Sequence, residues 1–434
     1  MKNKVSAAVL AAVAMIALAL GVVPSWAADK PATHPDSSLT VLHTFTNTPD
    51  CSQPNAALIK DSAGNMYGTT WQGGAYEYGC VFELSPDGQG GWTYNVIYSL
   101  TGGSDGAFPE APLALDSQGN LYGTTVIDGV HGNGTVFEIS KANDGSWYLN
   151  KSYLFDNSFG SKPFAGVTVD ANGNVFGATH SDFGAGNAPY GAIFQLTPNG
   201  NSWTGQALYV FPEDGLEGEY PDGTPIMDRA GNLYGTTNYG GQYGDGTVYR
   251  LHPTGNGWVL TTLHNFAGGT SDGKWPLGAL MSDAYGNLYS TTSEGGPGSG
   301  PGGAGGIFKL SQWPTARQAT SANGQWQITW LYWFTGGADG YGPIGPPAFD
   351  NAGNLYGTSG SPNGNGLIYK LTPSGTGWSE SVPYTFTGGS DGSGPWSPPV
   401  FDNAGNLYGV TDTAGEQGCG YVGEGCGTVF KLTQ

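Results

Sequence analysis

Seven times the chain writes nearly the same ten residues, Asp-x-x-Gly-Asn-apolar-aromatic-Gly-Thr-Thr. A repeat of this length and number restricts the fold to architectures that assemble equal units. Copies start at Asp61, Asp116, Asp170, Asp228, Asp283, Asp350 and Asp402, and successive units are 52 to 67 residues apart. Asp-x-x-Gly-Asn reads as a tight turn, in which the carboxylate accepts backbone N–H groups and the Gly takes a positive φ. A short apolar run such as Ala111 to Leu115 precedes each turn and a strand begins at its Asn-apolar-aromatic, so the two form a hairpin. A third strand reads Gly-Thr-Val-Phe-x-Leu, as from Gly134 to Ile139. A fourth opens at a Trp and carries a Leu/Ile-Tyr-x-Phe core, as from Trp92 to Leu100.

Four antiparallel strands per unit are the signature of a β-propeller. The rival, a β-solenoid, has shorter and more strictly periodic coils. The ends decide between them. Six Trp-type fourth strands lie inside the repeats, and the seventh unit stops after its third strand at Gln434. Leu39 to Phe45 (LTVLHTF) supplies the missing match, with His43 at the Tyr position. The expectation is an all-β, seven-bladed β-propeller of four-stranded antiparallel blades. Its ring is closed by the N-terminal strand 39–45, which completes the last blade, and the propeller spans 39–434. A closed ring leaves few unpaired edges.

Residues 1–27 read as a signal peptide: Lys2 and Lys4, an apolar run from Val5 to Val23, and a cleavage site at Ser25-Trp26-Ala27. Residues 28–38 follow as a flexible leader. The mature protein is expected to be secreted, extracytoplasmic and without membrane insertion after cleavage. Losing Lys2 and Lys4 takes the formal charge from -20 to -22, and so acidic a surface argues against nucleic acid or anionic lipid as partner. The 76 glycines recur with aromatic and β-branched residues, which indicates turns between strands rather than disorder.

Strand reversal sorts the loops onto two faces. The Asp-x-x-Gly-Asn turns and the third-to-fourth connections share one, monotonous in sequence. The second-to-third loops and the crossings between blades share the other, and they vary, as recognition surfaces do. Aromatic rings among glycines and acids mark that face, and rings flanked by hydrogen-bonding groups suit sugars or a protein surface. The candidate ligand-binding residues are Trp71, Tyr76, Tyr78, His131, His180, Phe183, Tyr190, Tyr239, Tyr243, Asp245 and Tyr421. The alternative is that these rings fold back to pack their own loops.

The crossings repeat an Asp-Gly, at Asp105, Asp272, Asp339 and Asp391. These acids offer either a Ca²⁺ ring or a plain turn, and one acid per blade favours the turn. No other cofactor and no metal site is expected. The four cysteines suggest disulfides in an exported chain, Cys419 with Cys426 first, and Cys51 with Cys80, which lie at the same end of one sheet. A zinc site lacks accompanying histidines. His43 and His264 occupy the Tyr slot of fourth strands, His34 lies in the leader and His252 in a turn, which leaves His131 and His180 as acid/base candidates with no nucleophile to complete a triad. With three arginines in all, no cluster can hold a substrate carboxylate as in sialidases. No catalytic residue is assigned.

Gly-Asn-Leu-Tyr-Gly-Thr-Thr followed by Gly-Thr-Val-Phe-Lys/Glu-Leu resembles the GloVer tandem repeat of exported bacterial proteins, over essentially all of the mature chain. The resemblance implies an extracytoplasmic repeat protein, in a family whose arrays are tethered by various C-terminal anchors, and implies no established activity. The sequence ends at Gln434 without an anchor helix or sorting motif, so free secretion is expected here. The leading functional expectation is a binding module for polysaccharide or a cell-surface protein on the variable face. The alternatives are a polysaccharide hydrolase or lyase using loop carboxylates or His131 and His180, and a structural component of envelope or matrix.

Overall fold

Asp61 shows how every blade begins. Its Oδ1 accepts the backbone N–H groups of Ala63 and Asn65 at 2.9 and 2.8 Å, and its Oδ2 accepts Asn65 Nδ2 at 2.8 Å and the Tyr67 hydroxyl at 3.2 Å. Gly64 takes the positive φ, at 92°. Asp116, Asp228, Asp283 and Asp402 hold the same four donors. Asp170 lacks the phenol because Phe176 stands there, and Tyr356 in the Asp350 blade donates instead to Gln434.

The computed structural model describes residues 38–127, 130–180, 188, 190–298, 302–312, 326–415, 419 and 425–434. The expected signal peptide, all but the last residue of the leader, Phe183 and Tyr421 lie outside the described residues. Seven four-stranded antiparallel sheets follow one another as blades. Blade 1 runs through Ile59–Lys60, Met66–Thr70, Cys80–Pro86 and Trp92–Ser99. Blade 7 runs through Val400–Phe401, Leu407–Thr411 and Thr428–Thr433, and Ser38–Thr44 completes it, with Ser38 opposite Thr433 and Thr44 opposite Thr428. The ring is therefore closed as the repeat count requires. The closing strand lies one residue earlier than 39–45, and Phe45 leaves the ladder to become a fully buried core side chain. First strands are only two residues long, Ala114–Leu115 rather than a run from Ala111. They crowd the axis, where Thr168 Oγ1 donates to the Pro225 carbonyl of the next blade.

The Gly-Thr-Thr that follows the turn divides three tasks. A Cβ added at Gly123 would stand 2.3 Å from Phe137 Cζ, so glycine in the second strand makes room for the aromatic of the third. Gly68 and Phe82, Gly177 and Phe194, Gly235 and Tyr249, Gly357 and Tyr369, and Gly409 and Phe430 repeat this fit. The first Thr sews one blade to the next, as Thr124 Oγ1 to the Ala165 carbonyl at 3.0 Å and Thr236 Oγ1 to that of Gly278 at 2.8 Å. The second, fully buried, bonds the Thr that opens the third strand, as Thr125 with Thr135 at 2.7 Å.

Both disulfides form as the cysteine positions suggested, Cys51–Cys80 and Cys419–Cys426. All four cysteines belong to one core cluster with Phe45, Phe82, Tyr408 and Val429, at the seam where blade 7 meets blade 1. Removing residues 38–44 strips that seam of its closing strand. The shortened chain should melt well below the full one and self-associate with rising concentration through the bared Thr428–Thr433 edge, as scattering would show.

The turn acids carry a second test. Burial works against their charge, but the donors, led by the Asn side chain, hold Asp116, Asp228, Asp283 and Asp402 below the usual carboxylate range. A carboxyl held low in the folded state contributes stability above its unfolded pKa of about 4, and that contribution is lost as pH falls through the folded value. Asp228→Ala should therefore cost about 1–3 kcal/mol near pH 7 and much less near pH 2, as urea melts at the two pH values would report.

Candidate functional site

On the variable face each crossing enters its blade through an x-Pro pair whose first residue has a positive φ: Gln53 (58°), Phe108 (60°), Lys162 (53°), Tyr220 (57°), Trp275 (57°), Gly342 (55°) and Gly394 (70°). Five of the seven carry side chains, in a conformation that costs about 1–3 kcal/mol each. Backbone bonds hold them there. Phe108 N–H donates to the Tyr78 carbonyl of the preceding blade at 2.9 Å, and the Phe108 carbonyl accepts from Val126 at 3.3 Å. Tyr220 does the same between Tyr190 (2.9 Å) and Asn238 (3.1 Å), and Trp275 between Asp245 (2.9 Å) and Ser293 (3.2 Å). Each crossing thus clasps the variable loops of two adjacent blades.

The residue after each proline lies between two buried neighbours and is itself partly exposed: Asn55, Glu110, Phe164, Asp222, Leu277, Ile344 and Trp396. With the short first strands next in the chain, this places one side chain per blade around the mouth of the axis. Asp222 accepts His180 Nδ1 at 2.7 Å and Asn238 Nδ2 at 2.5 Å. Around that group the rings form an arc over blades 3 to 5. His180 stacks on Tyr220 with centroids 4.6 Å apart, and Phe164 meets His180 edge-on at 5.0 Å. Tyr190 and Tyr239 flank Tyr220 at 6.0 Å, and Tyr239 faces Trp275 at 5.8 Å. Lys274 lies 4.2 Å over Trp275 and pairs with Glu294 at 2.7 Å. A second group joins Trp71 to Phe108 at 4.9 Å, with Tyr78 on the edge of Phe108 at 6.1 Å.

Glu110 belongs to the crossing into blade 2, Asp222 to that into blade 4, and Asp412 follows the second strand of blade 7. Burial, with the charges of Asp222 and Asp412, pushes the Glu110 carboxyl up to about 8. Asp222 and Asp412 act on Glu110 from blades not adjacent to its own, as loops on the axial side of the ring can. Glu110 is nonetheless partly open to solvent, so it lies deep in the mouth rather than sealed in the core. A shallow hollow at the blade 5 rim, lined by Pro297, Gly298 and Trp333 to Thr335, holds no titratable group and is not the site.

Of the residues expected from sequence, Trp71, Tyr78, His180, Tyr190 and Tyr239 join the ring contacts above. Their packing against one another is the inward folding weighed as the alternative, yet Tyr78 and Tyr239 remain 40% and 41% exposed. Tyr76 and Tyr243, each 56% exposed, stand at loop tips outside both ring groups. Asp245 contributes its backbone carbonyl to Trp275, and His131 stands exposed near Asp156, away from the mouth. Phe108, Glu110, Phe164, Tyr220, Asp222 and Trp275 escape the sequence reading, although a proline stands seven residues before every turn Asp, at Pro54, Pro109, Pro163, Pro221, Pro276, Pro343 and Pro395.

The Asp-Gly acids serve the crossings themselves. Asp105 accepts Thr101 N–H at 2.8 Å, Thr101 Oγ1 at 2.5 Å and the Tyr98 hydroxyl at 3.0 Å, and Asp339 and Asp391 repeat the set. Asp272 takes His264 Nε2 at 3.2 Å and Ala267 N–H at 2.9 Å. At the seam Asp50 plays the same part, holding His43 Nε2 at 3.0 Å and the Tyr94 hydroxyl at 2.6 Å. Both histidines thus keep the bond of the tyrosine they replace. Among the described residues no three of His, Cys, Asp or Glu are grouped to hold a metal ion.

The Gloeobacter/Verrucomicrobia repeat family matches residues 32–204 and 181–321. No curated protein matches the chain. Among solved structures, a putative 6-phosphogluconolactonase from Bacteroides uniformis ATCC 8492 is similar at 13% identity and a TM-score of 0.50, over 77% of this chain and 85% of that one. A protein of unknown function from Dyadobacter fermentans DSM 18053 gives 13% identity and a TM-score of 0.44, over 92% and 99%. A putative oxidoreductase (glucose dehydrogenase) from Thermus thermophilus gives 15% and 0.39, over 74% and 95%. At 13% identity the first of these likenesses is one of fold alone.

Glu110 offers a direct check on the mouth. A carboxyl raised by folding lowers stability as pH climbs from its unfolded value of about 4.3 to its folded one, and by a constant amount above that. Glu110→Gln should match the parent in melting temperature near pH 4 and exceed it near pH 9.

Proposed function

We propose a function for this chain, which belongs to the Gloeobacter/Verrucomicrobia repeat family: it works outside the cytoplasm as a binding module whose variable face takes polysaccharide. The observation that carries this reading is the arc Phe164, His180, Tyr220, Tyr239 and Trp275 set beside Asp222 and Asn238. A sugar ring has a C–H face that packs on flat aromatic rings and hydroxyls that seek fixed acceptors and donors, and the arc presents both within one mouth. Two disulfides fit an oxidising compartment.

One observation favours a second reading, a hydrolase or lyase of the same substrate class. Burial and the charge of Asp222, which is paired with His180, push the Glu110 carboxyl up to about 8, and a carboxyl that keeps its proton near neutrality together with a histidine–aspartate pair has the elements of acid/base chemistry. Release of shorter products from a polysaccharide panel separates the two readings.

Tyr239→Ala, at an exposed position of the arc, should weaken binding on a glycan array by about tenfold with the melting temperature unchanged. Tyr243→Ala, at a loop tip, should weaken it less. Equal affinity in the parent and Tyr239→Ala would remove the arc from the binding surface.

A further inference from the structure

We infer that the flank of blade 4 facing blade 5 binds an oxyanion, a carboxylate, sulfate or phosphate group, through Arg250. The place lies toward the face opposite the variable one, so it is a second site and does not rest on the glycan reading. Arg250 stands in the third strand of blade 4, Thr247–Thr254, directly opposite Thr261 of the fourth, Gly257–Asn265. Opposite residues of an antiparallel pair share a face, with Cβ atoms about 5 Å apart, and His252 follows on that face about 7 Å along the strand. Val248 and Tyr234 of the same face pack with Phe308 and Trp326 of blade 5. The groove between the two blades thus receives Arg250, Thr261 and His252, each partly exposed.

In the other six blades the side chain at the place of Arg250 is engaged from within the chain. Glu83 accepts the Tyr67 hydroxyl at 3.0 Å, and Gln195 accepts Gln206 Nε2 at 3.0 Å. Glu138 holds Lys151 Nζ at 3.0 Å and Asn150 Nδ2 at 2.5 Å. Lys309, Lys370 and Lys431 lie 5.7, 5.3 and 5.8 Å over the rings of Tyr289, Tyr356 and Tyr408. Arg250 breaks this series. The Tyr234 hydroxyl, which feels its charge, already donates to Asp228 at 3.1 Å. No described residue bonds the guanidinium. Its Nε is sealed from solvent, but its Nη atoms are not, so a ligand meets that outer edge. Blade 2 shows what the place can hold, since there a carboxylate faces a cation, Glu138 opposite Lys151. In blade 4 the cation is present and Thr261 stands opposite, with a hydroxyl where a counter-charge could be. The two Nη groups fit two oxygens of an oxyanion, and the Thr261 hydroxyl can donate to it from the facing strand.

The test follows the arginine Nε–H signals of isotopically labelled protein by NMR at pH 7 and constant ionic strength. The chain has three arginines, Arg229, Arg250 and Arg317, and the signal lost in Arg250→Lys is that of Arg250. Galacturonate, sulfate and phosphate are added separately as sodium salts. At least one should move the Arg250 signal to saturation, with a dissociation constant of about 10 mM or tighter, and leave the other two in place. Which anion does so identifies the group bound. Net charge -20 repels free anions, so general attraction cannot produce this result. Arg250→Lys keeps the charge but loses the fork, and should weaken binding at least about tenfold, read at the Thr261 backbone amide. Thr261→Val should weaken it about threefold with the melting temperature unchanged. No saturable movement with any of the three anions overturns the assignment. Equal movement of all three arginine signals, or affinity unchanged in Arg250→Lys, overturns it as well.

Discussion

The structure depends on one pairing, that of Ser38–Thr44 with Thr428–Thr433. Every other blade is built from strands close in sequence and forms by local hairpins. Blade 7 needs the two ends of the described chain to meet across nearly its whole length, which carries the largest loop-closure entropy in the fold. The cysteines lie at this seam, on both sides of it. Cys51–Cys80 ties the entry to blade 1 to its third strand across 29 residues, a closure that the chain-entropy account values at about 3–4 kcal/mol. Cys419–Cys426 joins two residues that lie in the same core. The covalent links thus sit where the sequence-local repeat cannot help.

Around that seam the two faces are stabilised by opposite means. On one, a carboxylate gathers backbone and side-chain donors into a relaxed turn, and glycine provides the left-handed step without strain. On the other, bulky residues are forced to a positive φ in front of proline, and the strain is offset by bonds to the loops of two blades at once. The first face works as a set of local fasteners. The second works as a network, in which Tyr220 or Trp275 is held only because both adjacent blades are present.

This difference explains what the sequence made legible. Turn, hairpin, strand count and ring closure could all be read because each rests on neighbours in the chain or on a simple count of copies. The cysteine pairs could be read because strand direction places Cys51 and Cys80 at one end of a sheet. Half of the site could be read for a similar reason, since Trp71, Tyr78, His180, Tyr190 and Tyr239 stand in loops that differ visibly from copy to copy. Glu110 and Asp222 could not, because each is an ordinary acid in its own segment and acquires its surroundings only in the fold, Asp222 from its own and the preceding blade and Glu110 under the charges of Asp222 and Asp412. The proline seven residues before every turn marked their place without revealing what stood next to it.

That marked place has an evolutionary consequence. The residue after each proline is carried on a backbone path fixed from both sides, by the proline before it and by a small buried residue after it: Ala56, Ala111, Ala165, Gly223, Gly278, Gly345 or Ser397. Its own side chain is partly exposed, so the frame does not prescribe which residue stands there. Asn, Glu, Phe, Asp, Leu, Ile and Trp occupy the seven places here, as different as side chains can be. The ring therefore behaves as a seven-letter word written on an invariant page. Seven different side chains are thus accommodated at one spacing, seven residues from proline to turn Asp, with no insertion.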